Sequence, residues 1–134
     1  MFASFVAIAL STGCGSGGGG NPKVDVKAQI EILKGTDATK KGDALAALGE
    51  AGPNAAPAVP VLIETLKDPD PLNRRLATYA LGQIGKSAAS AIPALKAVMT
   101  DSDRAVITSA ISAIRAIDPN DPAGKENLPN VTTP

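Results

Sequence analysis

One nine-residue pattern occurs three times in this chain, and each copy lies 33 residues after the one before. Residues 44–52 read ALAALGEAG, residues 77–85 read ATYALGQIG and residues 110–118 read AISAIRAID. A fixed period of this length is typical of folds in which helical units stack on their neighbours, because one unit cannot bury its apolar face alone. The period predicts an all-α fold, a short right-handed α-solenoid of helix pairs.

The limits of the first helix in each pair can also be predicted from the repeat. Asp37, Asp70 and Asp103 share one repeat position, and each precedes a long periodic stretch. A carboxylate there can accept hydrogen bonds from the unpaired N–H groups of a helix N-terminus. The first helices should therefore begin near residues 38, 71 and 104. Gly52 and Gly85 should end two of them in the left-handed conformation.

Two further glycines fall inside the last turn of these helices. Gly49 and Gly82 share a repeat position. A glycine inside a helix costs about 1 kcal/mol relative to alanine. We expect a neighbouring helix to approach closely at both positions.

The apolar stripe of each first helix follows from helical spacing. In the middle copy we assign it to Leu72, Leu76, Ala77, Ala80, Leu81 and Ile84, and in the last copy to Ile107, Ala110, Ile111, Ile114 and Ile117. Ser109, Ser112 and Arg115 should form the polar back of a terminal helix. Second helices should follow, with Pro60 and Pro93 in their first turns. Residues 23–34 match a second helix without its first, so the array begins with an incomplete unit.

A family resemblance rests on these residues. Residues 68–96, DPDPLNRRLATYALGQIGKSAASAIPALK, resemble the short HEAT-like repeat of phycobilisome lyases and of many bacterial scaffold proteins. The resemblance covers about residues 24–117. It implies a non-catalytic module that binds or scaffolds a protein, with a role as accessory to a lyase-type enzyme as the alternative.

The resemblance also implies a row of charge pairs between repeats. In the family, an arginine in the position of Arg74 pairs with the acidic turns. Lys41 occupies the same repeat position, and the candidate carboxylates are Asp70, Asp101 and Asp103. The same row could instead bind a ligand.

The composition argues against several other kinds of site. The chain has no histidine, one cysteine and no net charge. It therefore lacks the commonest general base and metal ligand, and the basic excess that nucleic-acid binding requires. The paired aspartates in the turns are explained by their place at helix starts. We expect no catalytic residue, no cofactor, no metal site and no nucleic-acid partner.

A protein partner would most simply bind the concave surface of the second helices. The candidate residues there are Glu64, Lys67, Lys96 and Thr100. Arg75 and Tyr79, on a first helix, could form a second patch, because arginine and tyrosine are enriched at interfaces. Tyr79 could equally be a half-buried packing residue.

The ends of the chain lie outside the repeats. In residues 1–14 a short apolar stretch is followed by small residues and then Cys14. This order resembles a bacterial lipobox, and the resemblance implies lipidation of Cys14. An apolar N-terminus with an unmodified thiol is the alternative. Residues 15–22 should be a flexible glycine-rich linker, residues 23–117 the repeat domain and residues 118–134 an irregular tail. We expect a monomer held at the cell envelope on its periplasmic face, or else a secreted or periplasmic one.

Overall fold

A computed structural model describes residues 23–125, and helices are the only regular elements in that range. The six α-helices are α1 (Val26–Lys34), α2 (Ala38–Ala51), α3 (Val59–Thr65), α4 (Pro71–Ile84), α5 (Ile92–Val98) and α6 (Arg104–Ile117). Three 3₁₀ segments cover Gly52–Ala58, Gly85–Ala91 and Pro122–Lys125.

The helices form two layers that follow the 33-residue period. The first helices α2, α4 and α6 pack side by side, and α1, α3 and α5 pack against them from the other layer. Each unit borrows part of its core from its neighbours, as stacked repeats require. The predicted all-α solenoid is confirmed.

The predicted starts of the first helices are confirmed to the residue. Asp37, Asp70 and Asp103 are the N-caps of α2, α4 and α6, and each carboxylate accepts from a backbone N–H two residues later. These bonds satisfy donors that a helix N-terminus otherwise leaves unpaired.

The two terminal glycines do have positive φ, but they lie outside the left-handed helical region. Gly52 has φ 54° and ψ −132°, and Gly85 has φ 69° and ψ −140°. This backbone region is essentially restricted to glycine. It turns the chain directly into a 3₁₀ segment. The links between first and second helices are therefore helical, and four of their alanines are buried: Ala55, Ala58, Ala88 and Ala91.

The core follows the repeat register, and it differs from the predicted stripes at several positions. Leu72 is 49% exposed because it lies in the first turn of α4, where the equivalent Thr39 and Ala105 are exposed too. Thr78 is fully buried, in the position of Leu45, and its hydroxyl donates to the carbonyl oxygen of Arg74. Val106 is also fully buried.

The expected close approaches at Gly49 and Gly82 are confirmed. A Cβ added to Gly49 would lie 2.7 Å from Cε1 of Tyr79, and one added to Gly82 would lie 3.2 Å from Cα of Ala113. The glycines therefore let adjacent first helices approach.

The beginning of the tail packs on α6, so the first part of the predicted irregular segment is ordered. Gly124 is buried against Arg115, whose Nε donates to the Gly124 carbonyl oxygen at 2.9 Å. Arg115 bonds to this segment and remains exposed, as its assignment to a polar back requires. The segment Pro122–Lys125 packs on α6.

Candidate functional site

The best-formed polar cluster in the described range joins α4 to the turn after α5. Arg74 Nε lies 2.7 Å from Asp101 Oδ2, and Arg74 Nη2 lies 2.9 Å from Asp101 Oδ1. Its Nη1 donates to the carbonyl oxygens of Asp68 and Pro69. The two side chains are only 14% and 11% exposed. Arg74 thus connects the turn before its own helix to the turn one repeat later.

A second cation occupies the same place one repeat earlier. Lys41 Nζ lies 3.6 Å from Asp68 Oδ2. Asp68 also accepts a hydrogen bond from the buried amide of Asn73 at 3.2 Å. The row ends in the next copy, where Ile107 occupies the position of the cation.

The carboxylates in this row differ in part from those expected. The partners of Lys41 and Arg74 are Asp68 and Asp101, whereas Asp70 and Asp103 cap helices. Asp68 and Asp101 lie two residues before the caps, and each accepts a hydrogen bond from the cap residue's backbone N–H. This geometry leaves the cap carboxylates directed at helix N-termini.

The pairing changes how the acidic groups titrate. Hydrogen bonds from Arg74 hold the pKa of Asp101 below its ordinary value, although burial acts to raise it. The same pair raises the pKa of Arg74. For Asp68 burial is the largest influence and acts to raise the pKa, but the hydrogen bonds from Asp70 and Asn73, with the charge of Lys41, leave it lowered. Both carboxylates therefore stay ionised at neutral pH.

Most of the candidates on the second helices form local pairs. Lys67 Nζ lies 3.8 Å from Glu64 Oε1 at the C-terminal end of α3, and Lys96 Nζ lies 2.8 Å from Asp121 Oδ2. Lys67 and Thr100 line a depression of about 350 Å³ between α3 and α5, with Asp101 at its edge. Lys96 is therefore paired with a largely buried carboxylate, whereas the side chains of Glu64 and Lys67 stay more than two thirds exposed.

A larger groove lies between the first helices α4 and α6. Its volume is about 700 Å³, within the usual range for binding sites in proteins. Arg75 and Tyr79 line it, and Tyr79 is 49% exposed. The structure therefore brings these two candidates to one groove and separates them from the candidates on α3 and α5.

The α6 side of this groove was missed in the sequence. It is formed by Thr108, Ser109 and Ser112 together with three alanines. The two serines were assigned to a polar back, but they face α4. Comparison with Leu76 and Tyr79, which hold the same repeat positions in α4, would have indicated a deficit of side-chain volume here.

A metal site, a membrane-spanning helix and the lipidation of Cys14 also bear on function. Residues 23–125 hold no group of three or more histidine, cysteine or acidic side chains that could bind a metal ion. None of the helices over that range has the length and apolar character needed to cross a bilayer. Cys14 lies outside the described residues, so its predicted lipidation stays a prediction.

Comparison with known proteins identifies the repeats. The family described as HEAT repeats matches residues 26–115, which is about two thirds of the chain. The sequence matches no curated protein. The period, the paired helices in two layers and the match over this range agree, and the chain belongs to the HEAT-repeat family.

Proposed function

We propose that this chain is a non-catalytic protein-binding module that presents the groove between α4 and α6 to a protein partner. HEAT repeats generally mediate protein–protein interactions. The observation that carries the proposal is the groove itself, which places a half-exposed Tyr79 beside Arg75. Both residue types are enriched among the residues that dominate binding energy at interfaces.

The groove is favoured over the surface of α3 and α5 for a physical reason. On that surface Lys67 and Lys96 already contact carboxylates of the same chain. The Lys96–Asp121 pair involves a mostly buried carboxylate, so a partner that used Lys96 would have to replace it with little net electrostatic gain; the Glu64–Lys67 pair is exposed and contributes little either way. Arg75, by contrast, makes no hydrogen bond or ion pair with any residue that the structure describes.

Site-specific photo-crosslinking in cells tests this proposal. A photoreactive amino acid would replace Thr108 in the groove, Ala97 in the smaller depression, or Glu31 on the exposed face of α1 as a control. We expect a discrete adduct from position 108 alone. An adduct only from position 97 would move the binding surface to the second helices, and equal labelling at all three positions would argue against a specific site.

The proposal extends to a lipid anchor at Cys14. In this view the module is a monomer attached to a bacterial cell envelope on its periplasmic face, with residues 15–22 as a tether. Support comes from the order of an apolar stretch, small residues, Cys14 and a run of glycines. Metabolic labelling with palmitate should mark the wild type and leave Cys14→Ser unlabelled. Equal labelling of the two would rule out this anchor.

A further inference from the structure

The groove between α4 and α6 exists because α6 carries small side chains where α4 carries large ones. Tyr79 lies at the junction of α4 with α2, where its ring rests on Gly49, and it also lines the groove. Leu76 lies one turn before Tyr79 in α4. One repeat later the same positions hold Ser112 and Ser109, and both line the groove. The junction of α2 with α4 is thus filled by the protein's own side chains, whereas the junction of α4 with α6 is not.

The second junction has a glycine at the same repeat position as the first, although no aromatic ring covers it. Gly82 holds the position of Gly49. A Cβ added to Gly82 would meet Cα of Ala113 at 3.2 Å, and one added to Gly49 would meet Cα of the equivalent Ala80 at 3.8 Å. In both helix pairs the alanine at the same repeat position faces the glycine, and it approaches more closely in the second pair, at 3.2 Å against 3.8 Å. What distinguishes them is the aromatic ring at the first junction and the open groove at the second.

The charge of the groove has one sign. Arg75 is the only charged side chain among the described residues that line it. Its equivalent one repeat earlier is Gly42, and Gln83 stands in the position of Glu50, so the second junction gains a cation and loses a carboxylate. Because Arg75 makes no ion pair with the described residues, a complementary partner carries an anion.

We propose, on the basis of the function proposed above, that the groove binds an acidic segment of a partner protein. The segment inserts one aromatic side chain over Gly82, where Tyr79 covers Gly49 one repeat earlier, and a carboxylate of the segment pairs with Arg75. Arg75 and Gly82 are two helical turns apart, about 10 Å. An extended segment spans that distance in about three residues. The aromatic and acidic residues therefore lie within a few residues of each other.

The test selects peptides from a random displayed library on the full chain and measures the affinity of the recovered peptides by fluorescence anisotropy. We expect the recovered peptides to contain an aromatic residue close to an aspartate or glutamate. Ser112→Tyr supplies the ring from the protein's own helix and should weaken these peptides by at least about tenfold. Ala97→Tyr, which places the same side chain between α3 and α5, is the matched control and should leave the affinity unchanged.

A second variant keeps the test valid if Ser112→Tyr fails to fold. Arg75→Gln should weaken the same peptides and remove most of the salt dependence of their affinity. One outcome would overturn this inference and leave the proposed function standing. In that outcome the recovered peptides lack the aromatic and acidic residues, but Ser112→Tyr still prevents their binding. Peptides that bind wild type, Ser112→Tyr and Arg75→Gln equally, or the recovery of no groove-dependent peptide, would overturn it and remove the groove as the binding surface.

Discussion

At the scale of single residues, the Arg74–Asp101 pair is the most specific polar interaction in the described part of the chain. Both carboxylate oxygens accept from the guanidinium, at 2.7 and 2.9 Å. Such bidentate, partly buried pairs are stronger than pairs on an open surface. They also fix geometry, since the planar guanidinium allows few arrangements. The pair therefore sets the distance between α4 and the turn that opens the next repeat.

The lowered pKa of Asp101 predicts how stability depends on pH. A carboxyl whose pKa is lowered by folding binds fewer protons in the folded state. Its contribution is complete above its ordinary pKa of about 4 and is lost as the pH falls through the folded pKa. Asp101→Asn should lower the free energy of unfolding by about 1–3 kcal/mol at pH 7. Urea unfolding at a series of pH values should show this difference shrinking below about pH 4.

Asp43→Asn is the matched control for that experiment. Asp43 is exposed and makes no side-chain hydrogen bond with the described residues. Its substitution should change stability by less than about 0.5 kcal/mol. A difference between wild type and Asp101→Asn that is as large at low pH as at pH 7 would mean that the charge pair is not its cause.

A substitution at Leu81 tests whether the core is assigned correctly. Its side chain is fully buried, and the equivalent Leu48 and Ile114 are fully buried as well. Leu81→Ala should lower the free energy of unfolding by about 2–5 kcal/mol, because it removes buried methyl groups and leaves a cavity. Leu72→Ala, made at a half-exposed leucine of the same helix, should cost much less. Equal melting temperatures for the two variants would contradict the packing described.

At the scale of elements, replacing glycine with alanine should have opposite effects on stability at two positions. Gly85 has φ 69°, and an added Cβ would meet nothing within 4 Å. Gly85→Ala should therefore destabilise the fold through backbone strain alone, by about 1–3 kcal/mol. Gly42 lies inside α2 with the same open surroundings, so Gly42→Ala should stabilise the fold by about 0.5–1 kcal/mol. Thermal melts of the two variants should shift in opposite directions.

The first helices could be predicted because the residues that begin and end them are local in the sequence. An aspartate cap begins each first helix, and a glycine with positive φ ends two of them. The 3₁₀ links were not predicted, since their alanines give no periodic pattern and pack against helices of their own and of neighbouring units. The buried place of Thr78 was missed for a similar reason. Its polarity suggests a surface position, yet the Arg74 carbonyl satisfies its hydroxyl within the helix.

At the scale of the whole molecule, the comparison of equivalent positions in successive repeats adds information that no single helix contains. Candidate residues on one helix, such as Arg75 and Tyr79, can be picked out directly from the sequence. A groove between two helices depends on the small size of the side chains on the second helix, and two serines three residues apart, Ser109 and Ser112, suggest a solvent-facing helix surface. The sequence contains that information only when Ser109 and Ser112 are compared with Leu76 and Tyr79. The same comparison shows Asp43 in the position of Leu76 and Ala46 in the position of Tyr79, so α2 carries a charged and a small side chain at these positions.

Unequal burial along the array predicts unequal local stability. Helix α1 buries only Leu33, whereas α4 buries six residues, and each unit is held mainly by its neighbours. Segments with few buried contacts open at a lower free energy than the whole domain. Native-state hydrogen exchange should therefore show the amides of α1 exchanging through local opening and those of α4 through global unfolding. Leu81→Ala should lower protection in α4 by its full loss of stability and leave α1 almost unchanged. Equal protection in both helices, falling together in the variant, would show that the array unfolds as one unit.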